Sequence, residues 1–185
     1  MHDKTEQARE LRLVRGVAFA FDTLRIRFES AVVEFLEKHR QRNWFANERA
    51  GQLFGTIDGA IVTVAEATGP RRGDRANHIS YNIDRKAAQR EIDERYEKGL
   101  HYIGDWHTHP QKAPGPSMTD VLSMVRLFCT SSHQLNHVAM LIVGTRDPET
   151  WWCSVHDSDS MTALVVESEP DLDAEGFQFH GGSLG

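Results

Sequence analysis

Cysteine is almost missing from this chain: Cys129 and Cys153 are the only two in 185 residues. They are too few and too far apart for a disulfide framework or a Cys-x-x-Cys metal knuckle. Both are expected to be reduced thiols buried in the core. No run of about 18 apolar residues occurs, so no segment reads as a membrane-spanning helix. Positive charge is also in short supply. With 27 acidic against 21 basic side chains the net charge is −6, which leaves no broad basic field for nucleic acid or an anionic membrane. The opening stretch "MHDKTEQARELRLVRG" is polar, carries both signs of charge, and lacks the apolar centre of a secretory signal. A cytoplasmic protein with no nucleic-acid or membrane partner is therefore expected. Internal repeats and low-complexity blocks are absent as well.

What is present reads as one domain over residues 1–168 with a flexible tail over 169–185, where the chain turns acidic and then glycine-rich. The first dozen residues suit a short helix. "VAFAFDTLRIRFES" reads as two strands around a turn. Phe28, Ala31, Val32, Phe35, Leu36 and His39 recur at helical spacing, predicting a helix from about Ser30 to Gln41. Asp58-Gly59 between two apolar runs signals a hairpin. Gly69 to Asn82 is a polar loop whose Arg71, Arg72 and Arg75 could meet an acidic partner. Asp84 is placed to cap a second helix that stops at Gly99. "LHYIGDW" is a strand, with Trp106 assigned to the core. A third helix covers about Met118 to Thr130, with Val121, Leu122, Val125 and Phe128 on one face. "HVAMLIVGT" is a buried strand, and "TWWCSVH" and "TALVVES" are two more, with Trp151 and Trp152 on opposite sides. Helices interspersed with strands predict an α/β fold around one mixed sheet.

The chemistry concentrates in "GDWHTHPQKAPGPSMTDVL", Gly104 to Leu122. In an extended chain His107 and His109 project to one side, and Pro110 holds His109 extended. Paired neutral imidazoles suit a divalent transition metal, zinc above all. Ser117 to Asp120 has the form of a helix-capping box, yet an Asp in the first turn can also turn its carboxylate to a cation. Two imidazoles and one carboxylate make three protein ligands, and the fourth tetrahedral position stays open for water, as in catalytic rather than structural zinc sites. Such a site needs a base that is not spent on the metal. Glu48, at the start of a predicted strand, is the candidate. Gly51 and Gly55 after it point to a close approach of the backbone, either to another element or to a substrate.

Together these residues resemble the JAMM metalloprotease family, also called JAB1/MPN/Mov34. The motif stands here as Glu48-Gly51-Gly55, His107-His109-Pro110 and Ser117-Asp120, with no position missing. The resemblance covers about residues 20 to 168. It implies a JAB/MPN domain of cytidine-deaminase-like type, a mixed sheet flanked by helices. It also implies one Zn2+ per chain on His107, His109 and Asp120, Glu48 as general base, and Ser117 helping to stabilise the oxyanion. The activity implied is hydrolysis of the peptide or isopeptide bond that joins a ubiquitin-like or otherwise conjugated protein to a lysine or a C-terminal extension. "YIGDWHTHP" and "DRKAAQREIDERYEKG" look most like compact bacterial members, some from antiphage systems of the CBASS type and other ubiquitination-like operons, where E1- and E2-like enzymes would be partners. The substrate loops would be 69–82 and 111–116.

The rivals are weaker. A non-catalytic scaffold of the same fold would be expected to lack a ligand, and none is lacking. A zinc base deaminase needs His-x-Glu with Pro-Cys-x-x-Cys, and a thermolysin-like protease needs His-Glu-x-x-His; neither motif occurs. A peptidase that trims a C-terminus would use the same residues, so the motif does not separate it from an isopeptidase.

Overall fold

The structure is a computed structural model that describes residues 16–76, 81–130 and 136–167. The expected N-terminal helix and C-terminal tail lie outside the described residues. Strands are β1 (Val17–Phe21), β2 (Leu24–Phe28), β3 (Ala50–Asp58), β4 (Ile61–Ala67), the short pair β5 (Arg75–Ala76) and β6 (Tyr81–Asn82), β7 (His101–Thr108), β8 (Val138–Val143), β9 (Trp152–His156) and β10 (Met161–Val166). Helices are α1 (Ser30–Lys38), α2 (Arg85–Tyr96) and α3 (Met118–Thr130).

The fold is α/β and the sheet is mixed, with β2–β4 and β7–β8 parallel. The expected flanked sheet needs correction, because this one closes on itself in the order β1-β10-β9-β8-β7-β3-β4-β2. Closure comes from β1, which pairs with β2 on one side and β10 on the other. Every strand of the barrel then has two neighbours, and no edge is left with unpaired backbone groups.

Local chemistry explains the elements. Asp22, with φ 52°, makes the turn between β1 and β2. Gly59, with φ 57°, makes the β3–β4 hairpin turn. Asp84 accepts hydrogen bonds from the N–H groups of Lys86 and Ala87 and starts α2. α1 ends at Lys38, earlier than the predicted Gln41, and His39 Nδ1 meets the Phe35 carbonyl at 2.8 Å.

Two apolar clusters hold these pieces together. The barrel interior collects Phe19, Ile26, Phe28, Leu53, Trp106 and Leu141, and α1 adds Val32, Val33 and Leu36. The second cluster lies outside the barrel wall, where Met124 of α3 packs with Val138, Met140 and Ile142. Alternation along β8 feeds both, which is why all six of its residues are buried. Trp106 is fully buried and its indole N–H donates to the Thr68 carbonyl at 2.9 Å. Trp151 joins the inner cluster and Trp152 the outer.

Two sequence expectations change here. Leu122 is 61% exposed, while Met124 is buried with Leu127 and Phe128 beside it. At about 100° per residue, Leu122 lies nearly opposite the stripe centred on Met124. Cys129 is exposed and Cys153 buried, both free, so only one is a core thiol. Cys129 sits five residues past Met124, about 140° around the helix and turned from the barrel.

Candidate metal centre

The site is built where the C-terminal end of β7 meets the start of β3 on the outside of the barrel. Ala50 pairs with His107 across the ladder. Thr108 is fully buried, and it clamps the two segments together. Its N–H donates to the Arg49 carbonyl at 2.9 Å, and its Oγ1 accepts the Arg49 N–H at 3.0 Å. With Thr108 turned inward, His107 and His109 turn outward together. Their rings meet edge to face, centroids 4.8 Å apart. Glu48, immediately before the clamp, brings a carboxylate oxygen within 4.8 Å of a nitrogen on each ring.

Asp120 arrives from the first turn of α3. Its Oδ1 lies 3.5 Å from His107 Nε2 and its Oδ2 lies 3.7 Å from His109 Nε2. The capping box forms too: Asp120 Oδ2 accepts the Ser117 N–H at 2.7 Å, and Ser117 Oγ accepts the Asp120 N–H at 3.2 Å. Capping and facing the histidines are therefore compatible in one carboxylate. The Asp120 N–H uses a lone pair of the serine hydroxyl, whose hydrogen is still a donor and interacts with the Asp120 carboxylate.

The charges of the site follow from this packing. Burial works to raise the Asp120 carboxyl, but the adjacent His107 and the Ser117 hydroxyl and N–H hold it well below the ordinary carboxylate range. Burial pushes Glu48 up; His107 opposes that and Asp120 adds to it. Burial, and then the neighbouring His107, lower the pKa of His109, favouring its neutral imidazole. The set is thus an ionised aspartate, a neutral histidine and a glutamate more basic than usual.

One atom tests whether a metal fits. His107 Nε2 is buried and makes no hydrogen bond of normal length; the nearest acceptor, Asp120 Oδ1, is 3.5 Å away. A buried ring nitrogen left unpaired beside a second imidazole and a carboxylate is the donor set zinc takes. Among the described residues, Glu48, His107 and His109 bring donor atoms together as a group that could hold a divalent metal, and Asp120 stands 3.5 and 3.7 Å from the two histidines.

The surroundings revise the substrate loops. Arg71 is not free for a partner: its guanidinium is buried, 2.6 Å from Glu91 and 2.7 Å from Gln52 Oε1. It ties the segment after β4 to β3 and α2. Arg72 is exposed, and the Arg75 side chain lies outside the described residues. The 111–116 loop is fastened, with the Gln111 carbonyl accepting the Thr145 N–H at 2.8 Å and the Lys112 carbonyl accepting Thr150 Oγ1 at 3.1 Å. The close approach of Gly51 is to another element, since a Cβ there would stand 1.7 Å from the Thr68 carbonyl oxygen.

Sequence reasoning missed the floor of the site. Asp105 precedes His107 by two residues on the same strand, opposite Gln52 on β3. Tyr102 donates its hydroxyl to Asp105 Oδ1 at 2.8 Å. Burial pushes the Asp105 carboxyl up to about 6, against the Tyr102 bond and the charges of Arg71 and His107. The signal was legible in "GDWHTH", where a period of two places Asp105, His107 and His109 in one row.

Comparison with known proteins adds to this geometry. Residues 29–154 match the family described as prokaryotic homologs of the JAB domain. A protein named CD-NTase/cGAS isopeptidase from Vibrio cholerae serotype O1 is 32% identical over 138 residues, covering 72% of this chain and 83% of its own. One of the same name from Escherichia coli is 29% identical over 123 residues, covering 64% and 75%. A probable metalloprotease, y4qB of Sinorhizobium fredii, is 31% identical over 133 residues, covering 65% and 76%. The solution structure of protein DSY2949 from Desulfitobacterium hafniense has a similar fold, with a TM-score of 0.51 at 21% identity over 71% of this chain and 84% of that one.

Proposed function

The chain belongs to the family of prokaryotic JAB-domain homologs, and on that premise we propose that it is a zinc-dependent isopeptidase. The bond cleaved joins a conjugated protein to a lysine of its target, and relatives named CD-NTase/cGAS isopeptidase favour a CD-NTase-type protein as the conjugate. The observation that supports the reading is the convergence of His107, His109 and Glu48, with Asp120 3.5 Å from a buried His107 Nε2 that makes no hydrogen bond of normal length.

His107, His109 and Asp120 would hold the metal, which when bound would supply Lewis acidity for activating water and polarising a carbonyl. Glu48 takes the proton of the attacking water and hands it to the departing lysine Nζ as the carbonyl carbon–nitrogen bond breaks. Ser117 donates its hydroxyl hydrogen to the carbonyl oxygen as charge develops there. Thr108 and the capping box keep these groups in register across β3, β7 and α3.

The test is the zinc content of purified protein, followed by cleavage of a CD-NTase-type protein linked to a lysine. The expected result is about one zinc per chain, lost in His109→Ala, and release of the conjugate by the loaded protein. A linear fusion run beside it separates isopeptide cleavage from C-terminal trimming. Failure to retain zinc after supplementation, or a zinc-loaded protein inert on both substrates, would sink the reading.

A further inference from the structure

The segment from α1 to β3 ends on Glu48, and it presents groups that neither the fold nor the metal centre uses. Its middle is a constructed turn. Gln41 is buried and donates its side-chain amide to the Ala46 carbonyl at 2.7 Å. Asn43 Oδ1 accepts the N–H groups of Phe45 and Ala46 at 3.0 and 2.9 Å. Between these anchors Trp44 is 63% exposed and Phe45 95% exposed. Lone exposed apolar residues are ordinary on surfaces. Two adjacent aromatics on a braced turn, three residues from Glu48, are the type of side chain that dominates protein recognition.

Beside the turn lies a cavity of about 450 Å³ lined by Glu34, Glu37, Lys38, Arg40, Arg42 and Thr145. Glu37 is taken by Arg40, whose guanidinium also lies 5.8 Å over the Trp151 ring. Lys38 and Arg42 remain, with Glu34; among the described residues neither cation has an ion pair. The Thr145 wall is bonded to Gln111, two residues beyond His109. Arg42 stands six residues from Glu48, at most about 20 Å along extended chain. The cavity therefore lies within about 20 Å of Glu48, and among the described residues its Lys38 and Arg42 are cations without an ion pair on a chain of net charge −6.

We propose that the cavity and the Trp44–Phe45 turn form the subsite that grips the substrate polypeptide beside the scissile bond, and that its occupant is a segment carrying carboxylate and large apolar side chains. Lys38 and Arg42 meet the carboxylates, while Trp44 and Phe45 cover the apolar groups. The spacing puts the acidic side chain within about six extended residues of the bond cleaved. The location depends on the isopeptidase reading, but the chemistry of the surface does not.

Two fluorescent probes decide it. One is a decapeptide with two glutamates and a leucine, joined through its C-terminal carboxyl to a lysine Nζ; the other has lysines in place of the glutamates. The zinc-loaded protein is expected to cleave the acidic probe with at least tenfold higher kcat/KM, mostly through KM. Lys38→Glu with Arg42→Glu is expected to reverse the preference. Trp44→Ser with Phe45→Ser is expected to raise KM about tenfold for both probes, with zinc content unchanged. Equal cleavage of the two probes, or variants that leave the preference intact, overturns the proposal. If neither probe is cleaved, the isopeptidase reading is what suffers. Anisotropy of the same probes on Glu48→Gln protein then still decides the subsite, since equal binding there overturns it. The chain's own acidic stretch Glu169–Glu175 is the competing occupant. Probe affinity that appears only after removal of residues 168–185 would assign the cavity to that stretch and overturn the proposal as well.

Discussion

His107 and His156 invite comparison, because each carries a buried ring nitrogen with no partner: Nε2 in one, Nδ1 in the other. His156 is the more buried of the two, fully so, with its Nε2 3.0 Å from Ser154 Oγ. Burial pushes its proton affinity down, although Asp157 opposes this. Around it are Val138, its partner on β8, and the strand's own buried residues. Around His107 stand a second imidazole and two carboxylates from three separate parts of the chain: the end of β7, the segment before β3, and α3. An orphan nitrogen in an apolar wall is an unmet cost of packing, whereas one on which several donors converge is a place for a cation. Convergence distinguishes the two, and burial alone does not.

The sharpest way to break the comparison is to remove one convergent ligand. His107→Ala is expected to abolish zinc binding and with it all measurable hydrolysis, read by metal content and conjugate cleavage. If zinc stays bound at full occupancy, His107 is no more a ligand than His156. Glu48→Ala comes next. It is expected to keep its zinc and lose about a thousandfold in kcat, within the range for a lost general base. Equal loss of metal would move Glu48 from base to ligand.

Smaller again is Ser117→Ala. Loss of one oxyanion donor lowers kcat by about a hundredfold, and loss of the cap destabilises α3 by about 1 kcal/mol. Rate and melting temperature, measured on the same preparation, separate the two contributions; an unchanged rate would leave Ser117 with capping alone. The smallest effect belongs to the other histidine. His156→Leu removes the Ser154 contact and also removes the orphan nitrogen, so the net change in stability is expected within about 1 kcal/mol. That is a melting shift of about 2–4 °C at most, with zinc content and activity unchanged. Loss of zinc in His156→Leu would erase the contrast between the two sites.

Much of the metal centre could be read from local spacing, because a period of two on a strand and a capping box at a helix start are short-range geometry. The row Asp105, His107, His109 and the reciprocal bonds of Ser117 and Asp120 are of this kind. Arg71 misled for the opposite reason. Three arginines in a polar loop read as a solvated patch, and only long-range packing against Glu91 and Gln52 turned one of them inward. Leu122 and Met124 differ by two positions on one helix, and which of them faces β8 depends on where the stripe is centred, which periodicity leaves loose by a residue.

By itself, then, the amino-acid sequence determined the eight barrel strands and the three helices among the described residues, though not the short β5–β6 pair it read as loop, together with the hairpin at Gly59, the inward Trp106, and a list of residues with the types and spacing of a metal centre. These follow from short-range sterics and side-chain alternation, which act within a few residues. Tertiary structure alone decided that the mixed sheet closes through β1 against β10, that Glu48 reaches His107 and His109 from the segment before β3, and that Trp44, Phe45 and Arg42 are left exposed. Those outcomes depend on pairings between residues as far apart as Phe19 and Val166. Such pairings form because burying two apolar surfaces together lowers free energy, and no local pattern records which surfaces will meet.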